Sequence, residues 1–452
     1  MSQADGEGKG VVAALAAAIN AKPGELGGAL AAFATVFAMF SSYSILRPIR
    51  ETMGIASGVD TLPALFWGTF LAMLAVQPLY GWLTSRFRRP VFLPWVYLFF
   101  VLNILGFYVW FNAQEDHTWI ARAYFIWVSV FNLFVVAVFW SLMADVFTRE
   151  QAGRLFGFIA AGLSLGGLFG PFLGQNLAKP LGTINLLLVS AALLSLALAL
   201  LFLVLRWHRK HGERVASAPD VDEKLGGSSL AAFRQVATSP YLALIAVFVF
   251  LLTWVSTFIY LEQQAMVAVE FTDRDSRTEF FNRIDFWVQS GSLLAQLFLF
   301  GRLYRWFGFK VLIVLVPVLM MLGYVALAAV PTFAVLVAVM MVRRIGEYSI
   351  TRPSRDTLYT VVSREEKYKA KSLIDTFVYR GGDATAASAH ALVKASFGLG
   401  VSGIALCGAA ISAVWALVAW SLGKRHVAQS SSNLSSTVST VAVEASRPSR
   451  GA

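Results

Sequence analysis

Long apolar stretches alternate with short polar ones along almost the whole chain. Each stretch holds about 20 residues or more, the length a helix needs to cross roughly 30 Å of hydrocarbon. Twelve spans are expected on this pattern, near residues 28–52, 62–84, 91–111, 119–144, 155–178, 183–206, 240–268, 282–303, 309–330, 333–361, 373–397 and 401–422. Lipid offers no hydrogen-bond partner to backbone N–H and C=O groups, so each span is predicted to be helical. The fold class is therefore an all-α integral membrane protein. A basic segment, 207–239, divides the spans into two six-helix halves, 28–206 and 240–422. Residues 1–27 read as a cytoplasmic N-terminus. The Ser-, Thr- and Val-rich stretch 423–452 lacks apolar periodicity and reads as a disordered cytoplasmic tail.

Composition agrees, since 57% of residues are hydrophobic and only 14% charged, which excludes an ordinary soluble domain. The formal charge of +11 would suggest nucleic acid in a soluble protein. Here the cations gather in alternate loops, so the lipid bilayer is the expected partner and nucleic acid is not. One set of loops holds Arg86, Arg88, Arg89, Arg149, Arg154, Arg206, Arg209, Lys210, Arg302, Arg305, Lys310 and Lys371, whereas Asn112–Thr118 has Glu115 and Asp116 with no Lys or Arg. The positive-inside rule puts both termini in the cytoplasm, and a bacterial inner membrane is expected. The start, Met1–Gly28, carries Asp5 and Glu7 and lacks the basic start and short apolar core of a cleavable export signal. Cys407 reads as a small packing residue. Gly162, Gly166, Gly170 and Gly174 recur every four residues in the fifth span, which predicts close helix packing rather than a phosphate cradle.

The halves repeat. A shift of 220 residues lays Phe66-Trp67, Leu79, Gly81, Leu83 and Phe87 onto Phe286-Trp287, Leu299, Gly301, Leu303 and Phe307, so span 2 corresponds to span 8. The loop Gly81 to Arg89 resembles the inter-helix signature of the major facilitator superfamily, with Ser85 where an acid usually stands. A second match relates Tyr43-Ser44-Ile45-Leu46-Arg47-Pro48-Ile49-Arg50-Glu51-Thr52 to Tyr348-Ser349-Ile350-Thr351-Arg352-Pro353-Ser354-Arg355-Asp356-Thr357. Spans 1 and 10 are equivalent cavity-lining helices in a fold with nested inverted repeats. Pro48 and Pro353 each remove a backbone donor, so both helices are expected to bend or break beside their arginines. Gly381-Gly382 reads as a flexible point in span 11.

Charge inside the spans carries the functional signal. Arg343 and Arg344 fall near mid-depth of span 10, with Glu347 one turn on. Burying such groups in lipid costs several kcal/mol, so they are expected to face a polar pathway or one another. Arg47, Arg50, Arg343, Arg344, Arg352, Arg355 and Arg380 slightly outnumber Glu51, Glu262, Glu347, Asp356, Asp375 and Asp383, a balance that suits an anion site closed by ion-pair gates. A structural role for any single pair weighs about equally. His390 and Lys394 extend a polar line along span 11. No metal ligand set, cofactor motif or catalytic triad is seen, and an enzyme is not expected.

The stretch Ile45 to Met53 resembles the first-span segment of the ATP:ADP antiporters of plastids and obligate intracellular bacteria, with Arg50 where that family has Lys. A second likeness runs from Tyr348-Ser349 through Pro353, Arg355, Tyr359, Glu365, Lys367, Lys369, Lys371 and Asp375 to Arg380. Glu262 is placed like a family glutamate tied to transport. The lysines that follow it in the family are missing, and Trp127-Val128-Ser129 stands where a second glutamate is expected. The resemblance implies nucleotide exchange without hydrolysis, with Arg50, Glu262, Arg355, Lys371, Asp375 and Arg380 as site candidates. The expected function is alternating-access transport of a small anionic solute, nucleotide among the candidates, by a monomer. A proton-coupled facilitator for a drug, sugar or organic acid is one competing reading, and a non-transporting receptor or scaffold is another.

Overall fold

A computed structural model describes residues 16–87, 89–211 and 229–445. The N-terminal stretch before residue 16, Arg88 of the shared loop, residues 212–228 of the basic linker and residues 446–452 lie outside them, as do the side chains of Ser85, Arg89, Glu365, Lys367 and Lys369. The described residues are helical with no strand. In the first half run α1 (Leu26–Ala56), α2 (Leu62–Arg86), α3 (Arg89–Ala113), α4 (Thr118–Val146), α5 (Arg149–Leu181) and α6 (Leu186–His211). A short helix, Ser229–Thr238, precedes α7 (Pro240–Glu270). The second half continues with α8 (Arg274–Leu294), α9 (Gly301–Ala329), α10 (333–361), α11 (364–397) and α12 (Val401–Ala445).

Nine of these helical runs are long and apolar enough to cross a bilayer. The difference from twelve has a physical origin. Helices α8 and α9 join in one run of 56 residues that turns at Gly308, whose φ of +72° only glycine adopts without strain. The other two, α10 and α11, carry the intramembrane charges and are interrupted by π turns at Glu347–Thr351 and Ile374–Val378.

Those interruptions divide the proline expectation. In α10 the π turn ends directly before Arg352-Pro353, so the regular α-helical hydrogen bonding is interrupted beside the arginines, although the chain stays helical through Leu358. In α1 it is not: Pro48 lies inside an unbroken helix of 31 residues. Pro48 costs one bond to the carbonyl of Ser44, and the dense burial of α1 holds the helix together without it. Gly381-Gly382 is likewise no hinge, because both lie within the helix Tyr379–Phe397 and a Cβ on Gly382 would collide with the Thr253 hydroxyl. The tail expected to be disordered from residue 423 is helical as far as Ala445, there being no Gly or Pro between Lys424 and Ala445 to stop α12.

The helices form two compact units, Met1–Val221 with Gln264–Ser290, and Asp222–Gln263 with Gly291–Ala452. The boundary departs from six spans and six, since the end of α7 and most of α8 pack with the first unit. Polar contacts explain the departure. Gln264 donates to Glu51 at 3.0 Å, Thr52 and Thr278 share a hydrogen bond of 2.8 Å, and the Thr183 amide donates to Asp275 at 2.7 Å.

Within the first unit the glycine stripe of α5 lies against α1. A Cβ on Gly166 would stand 2.6 Å from the Phe37 carbonyl, and one on Gly170 would stand 2.6 Å from the Ser41 carbonyl. The predicted close packing is therefore backbone against backbone.

Before α1, Glu25 fastens the N-terminal segment to α5. Both guanidinium ends of Arg154 reach its carboxylate at 2.9 Å, the Lys22 amide donates at 2.8 Å and Gln151 at 3.2 Å. The Arg154 hydrogen bonds hold the Glu25 carboxyl down at about 2. A carboxylate with a depressed folded-state value stabilises the fold above its unfolded value, and the stabilisation disappears as pH falls through the folded one. Glu25→Gln is thus expected to lower the melting temperature by several degrees at neutral pH, from loss of about 2 kcal/mol of charged hydrogen bonding. The gap between wild type and variant should close between about pH 4.5 and about pH 2. Melting curves in detergent across that range check it, and a gap independent of pH would contradict it.

Candidate functional site

Helix α1 brings two of the predicted arginines into the first unit. Arg47 pairs with Asp285 of α8 at 3.8 Å. One turn on, Arg50 reaches Glu51 at 3.2 Å, donates to Ser129 at 3.2 Å and lies 4.5 Å above the Phe125 ring. Spacing of three places both cations on one helix face, and each is answered by a buried carboxylate. Charge in this cluster is balanced.

The second unit differs. Arg343 lies ten residues after Phe333, about 15 Å along the helix and so near mid-bilayer depth. It pairs with Glu347 one turn later at 2.8 Å and donates to Ser256 of α7 at 2.9 Å. Glu347, itself buried, also accepts from Tyr379 of α11 at 3.4 Å. The charges of Arg344, Arg352 and Arg355 act on the same carboxylate. Arg344 is 5% exposed, and Arg352 sits 4.6 Å over the Tyr348 ring.

From α11, Asp375 meets Arg355 at 3.4 Å, and Asp383 meets Arg380 at 3.5 Å while accepting from Thr257 of α7 at 3.3 Å. Lys371 pairs with Asp356 at 2.6 Å in an exposed position, where such a contact stabilises little. The residues of α10 and α11 in this cluster comprise six cations (Arg343, Arg344, Arg352, Arg355, Lys371 and Arg380) and four carboxylates (Glu347, Asp356, Asp375 and Asp383). Two buried donors, Arg343 Nε and Arg355 Nε, have no hydrogen-bond partner among the described residues. Leaving such a donor unmade costs about 1–3 kcal/mol, so each favours an acceptor that arrives from outside. Both π turns fall inside this cluster, and a π turn re-aims the side chains around it at the expense of regular hydrogen bonding.

Glu262 lies apart from these ion pairs. It does not compete for the arginines of α10: His390 Nε2 stands 2.8 Å from its carboxylate and Lys394 Nζ 3.8 Å away. The site candidates therefore form three clusters. Arg47 and Arg50 make one; Arg343, Arg344, Glu347, Arg352, Arg355, Lys371, Asp375, Arg380 and Asp383 make the second; Glu262 makes the third.

Sequence reasoning missed Asp285, Ser129, Ser256, Thr257 and Tyr379. Asp285 carried a usable signal, being an acid within an apolar span. The others are hydroxyls in apolar runs, indistinguishable there from ordinary packing residues.

Comparison with known proteins adds to this geometry. The family model of the Major Facilitator Superfamily matches residues 28–382. Two curated proteins of Chlamydia pneumoniae match at 24% identity: ADP,ATP carrier protein 1 over 221 residues, covering 44% of this chain and 43% of that one, and ADP,ATP carrier protein 2 over 168 residues, covering 29% and 30%. The chain thus spans less than half the length of these relatives. Among solved structures, the nucleoside transporter NupG superposes with a TM-score of 0.62 at 16% identity over 89% of this chain and 99% of that one. An auto-inhibited peptide transporter of the POT family does so with a TM-score of 0.61 at 15% identity over 88% and 96%.

Proposed function

The chain belongs to the major facilitator superfamily, and from that premise we propose that this integral membrane transporter carries a small anionic solute by alternating access, with phosphorylated nucleotides as the first class to test. The observation that carries the reading is the surplus of cations over carboxylates in this cluster of α10 and α11, six against four, with Arg344, Glu347 and Asp383 buried and Arg343, Arg355, Asp375 and Arg380 partly so. A neutral solute would gain nothing from that surplus. An anion offsets the mutual repulsion of the arginines and accepts the buried Nε donors of Arg343 and Arg355. Phosphate and carboxylate both fit a planar guanidinium with two hydrogen bonds.

Nucleotide is favoured among anions by the chlamydial relatives named ADP,ATP carriers, and exchange is the mode their likeness suggests. In this reading Arg343, Arg344, Arg352 and Arg355 meet the solute. Asp375 and Glu347 hold those arginines when it is absent, and Arg47 with Asp285 and Arg50 with Glu51 open and close with transport. The basic loops orient both termini toward the cytoplasm of a bacterial cell.

A ligand that binds only the folded protein raises its melting temperature. With ATP and ADP in excess of about 100 times their dissociation constants, stabilisation of about 2.7 kcal/mol is expected, while adenosine should stabilise little. Thermal unfolding of the purified protein measures this. Equal stabilisation by adenosine and ATP would count against the anion reading.

A further inference from the structure

Helices α9 and α12 pack side by side in the second unit, and at one end of the pair the approach is close. A Cβ on Gly423 would stand 3.1 Å from the Lys310 Cα, so α12 meets the backbone of α9 there. Just beyond, the Phe309 ring lies 4.4 Å from that of His426, whose Nδ1 is 3.1 Å from the Tyr241 hydroxyl of α7. These contacts fix the directions in which Lys310 and Lys424 leave their helices.

Both lysines reach one indole. The Lys310 ammonium stands 3.5 Å from the centre of the Trp420 ring, and the Lys424 ammonium, one turn after Trp420, stands 5.6 Å from it. The two cations are therefore no further apart than the breadth of a lipid headgroup. Arg425 follows directly, and Arg302 and Arg305 precede Lys310 on α9. Neither helix has a carboxylate before Glu444, and neither ammonium takes part in an ion pair among the described residues. An indole face attracts a cation, yet it carries no net charge and leaves the mutual repulsion of the two unanswered. The arginines of α10 and α11 differ in this respect, since four carboxylates stand among them.

Depth in the bilayer identifies what answers the pair. Trp420 lies nineteen residues after Val401, about 29 Å along the helix, which matches the thickness of the hydrocarbon core. Lys310 opens the apolar run of α9 that continues to Ala329. Both ammoniums thus sit where hydrocarbon gives way to headgroups. Leu417 and Leu406 share the Trp420 face of α12 and are 68% and 58% exposed, leaving an apolar strip that runs from the cations into the hydrocarbon. A free anion has no use for such a strip, whereas the acyl chains of a lipid lie along it.

We propose that Lys310, Lys424 and Trp420 form a binding site for the headgroup of an anionic phospholipid, seated between the two ammoniums with its acyl chains along the Trp420 face of α12. The phosphate diester accepts hydrogen bonds from both ammoniums and cancels their repulsion. Tryptophan is at home at this level, its ring apolar on the hydrocarbon side and its N–H toward the headgroups. Gly423 lets the two helices bring the lysines together, and a lipid held by both tightens the pairing of α9 with α12. The site shares no residue with the arginine cluster and does not depend on the anion reading of transport.

Native mass spectrometry of the detergent-purified protein, titrated with phosphatidylglycerol, phosphatidylcholine or inorganic phosphate, tests the site. Wild type is expected to hold phosphatidylglycerol more tightly than phosphatidylcholine and to show no binding of inorganic phosphate in the same range. Lys310→Gln combined with Lys424→Gln should weaken the tightest phosphatidylglycerol binding by about twenty- to thirtyfold. Arg302→Gln combined with Arg305→Gln removes as much charge from the start of α9 and should weaken it far less. Lys310→Arg combined with Lys424→Arg keeps both charges and should retain the lipid. Where the double glutamine variant is not recovered folded, each single variant takes its place, with a loss of about fivefold expected. Equal affinity for the two lipids, equal losses in the lysine and arginine pairs, or lysine variants that bind like wild type would each overturn the site. Binding of inorganic phosphate as tight as that of phosphatidylglycerol would overturn the lipid as its occupant.

Discussion

Arg355→Ala is expected to cut the initial rate of labelled ATP uptake in proteoliposomes by about ten- to a hundredfold while protein abundance and helical content stay at wild-type levels. The size follows from the loss of charged hydrogen bonds worth about 1.5–3 kcal/mol, at 1.4 kcal/mol per factor of ten. Arg355 holds Asp375 at 3.4 Å and keeps a buried Nε without an acceptor among the described residues. Removing the guanidinium takes away both the group that meets the solute and the partner that quiets Asp375. Arg355→Lys keeps the charge and loses the planar fork, so it should recover only part of the rate. Lys371→Ala serves as the contrast within the same cluster. Its exposed pair with Asp356 contributes little, and a loss of a few-fold at most is expected. Undiminished uptake by Arg355→Ala would contradict the assignment of the arginines to the solute.

The second large effect concerns folding. Gly166→Leu is expected to abolish recovery of monodisperse protein, and Gly166→Ala to lower the melting temperature by several degrees. Any Cβ there meets the Phe37 carbonyl at 2.6 Å, and backbone cannot step aside as a side chain tip can. Overpacking of this kind costs typically 1–3 kcal/mol and more for a larger side chain, against a helix-propensity gain of about 1 kcal/mol on leaving glycine. Gly157 on the same helix separates the two terms. Nothing lies within 4 Å of a Cβ at that position, so Gly157→Ala should leave the melting temperature unchanged or raise it. Size-exclusion profiles and melting curves of the three variants decide the matter, and a Gly166→Ala protein as stable as wild type would refute the close α1 to α5 contact.

The helical frame could be read from the chain because it rests on a one-dimensional signal, apolar runs of bilayer length between basic loops. The glycine stripe at every fourth position could be read for the same reason, since helical periodicity fixes which residues share a face. What could not be read depends on neighbours distant in sequence. Pro48 and Pro353 sit in near-identical decapeptides, yet one lies in an unbroken helix and the other follows a π turn. The π turn at Ile374–Val378 has no proline to announce it. Membership of the arginines in an ion-pair network was visible from their depth in apolar spans, while their individual partners were not. Glu262 shows the limit: its place in an apolar span marked it as a candidate without naming a partner, and packing of α7 on α11 gives it His390. Asp285 was passed over although it joins Arg47 across 238 positions of sequence.

The central claim is that the carried solute is an anion recognised by the arginines of α10. Its most direct test loads proteoliposomes with ADP and supplies labelled ATP or labelled adenosine outside. The account predicts saturable entry of ATP that needs the internal nucleotide, falls by about ten- to a hundredfold in Arg355→Ala, and is not matched by adenosine. Saturable entry of adenosine with none of ATP would contradict it.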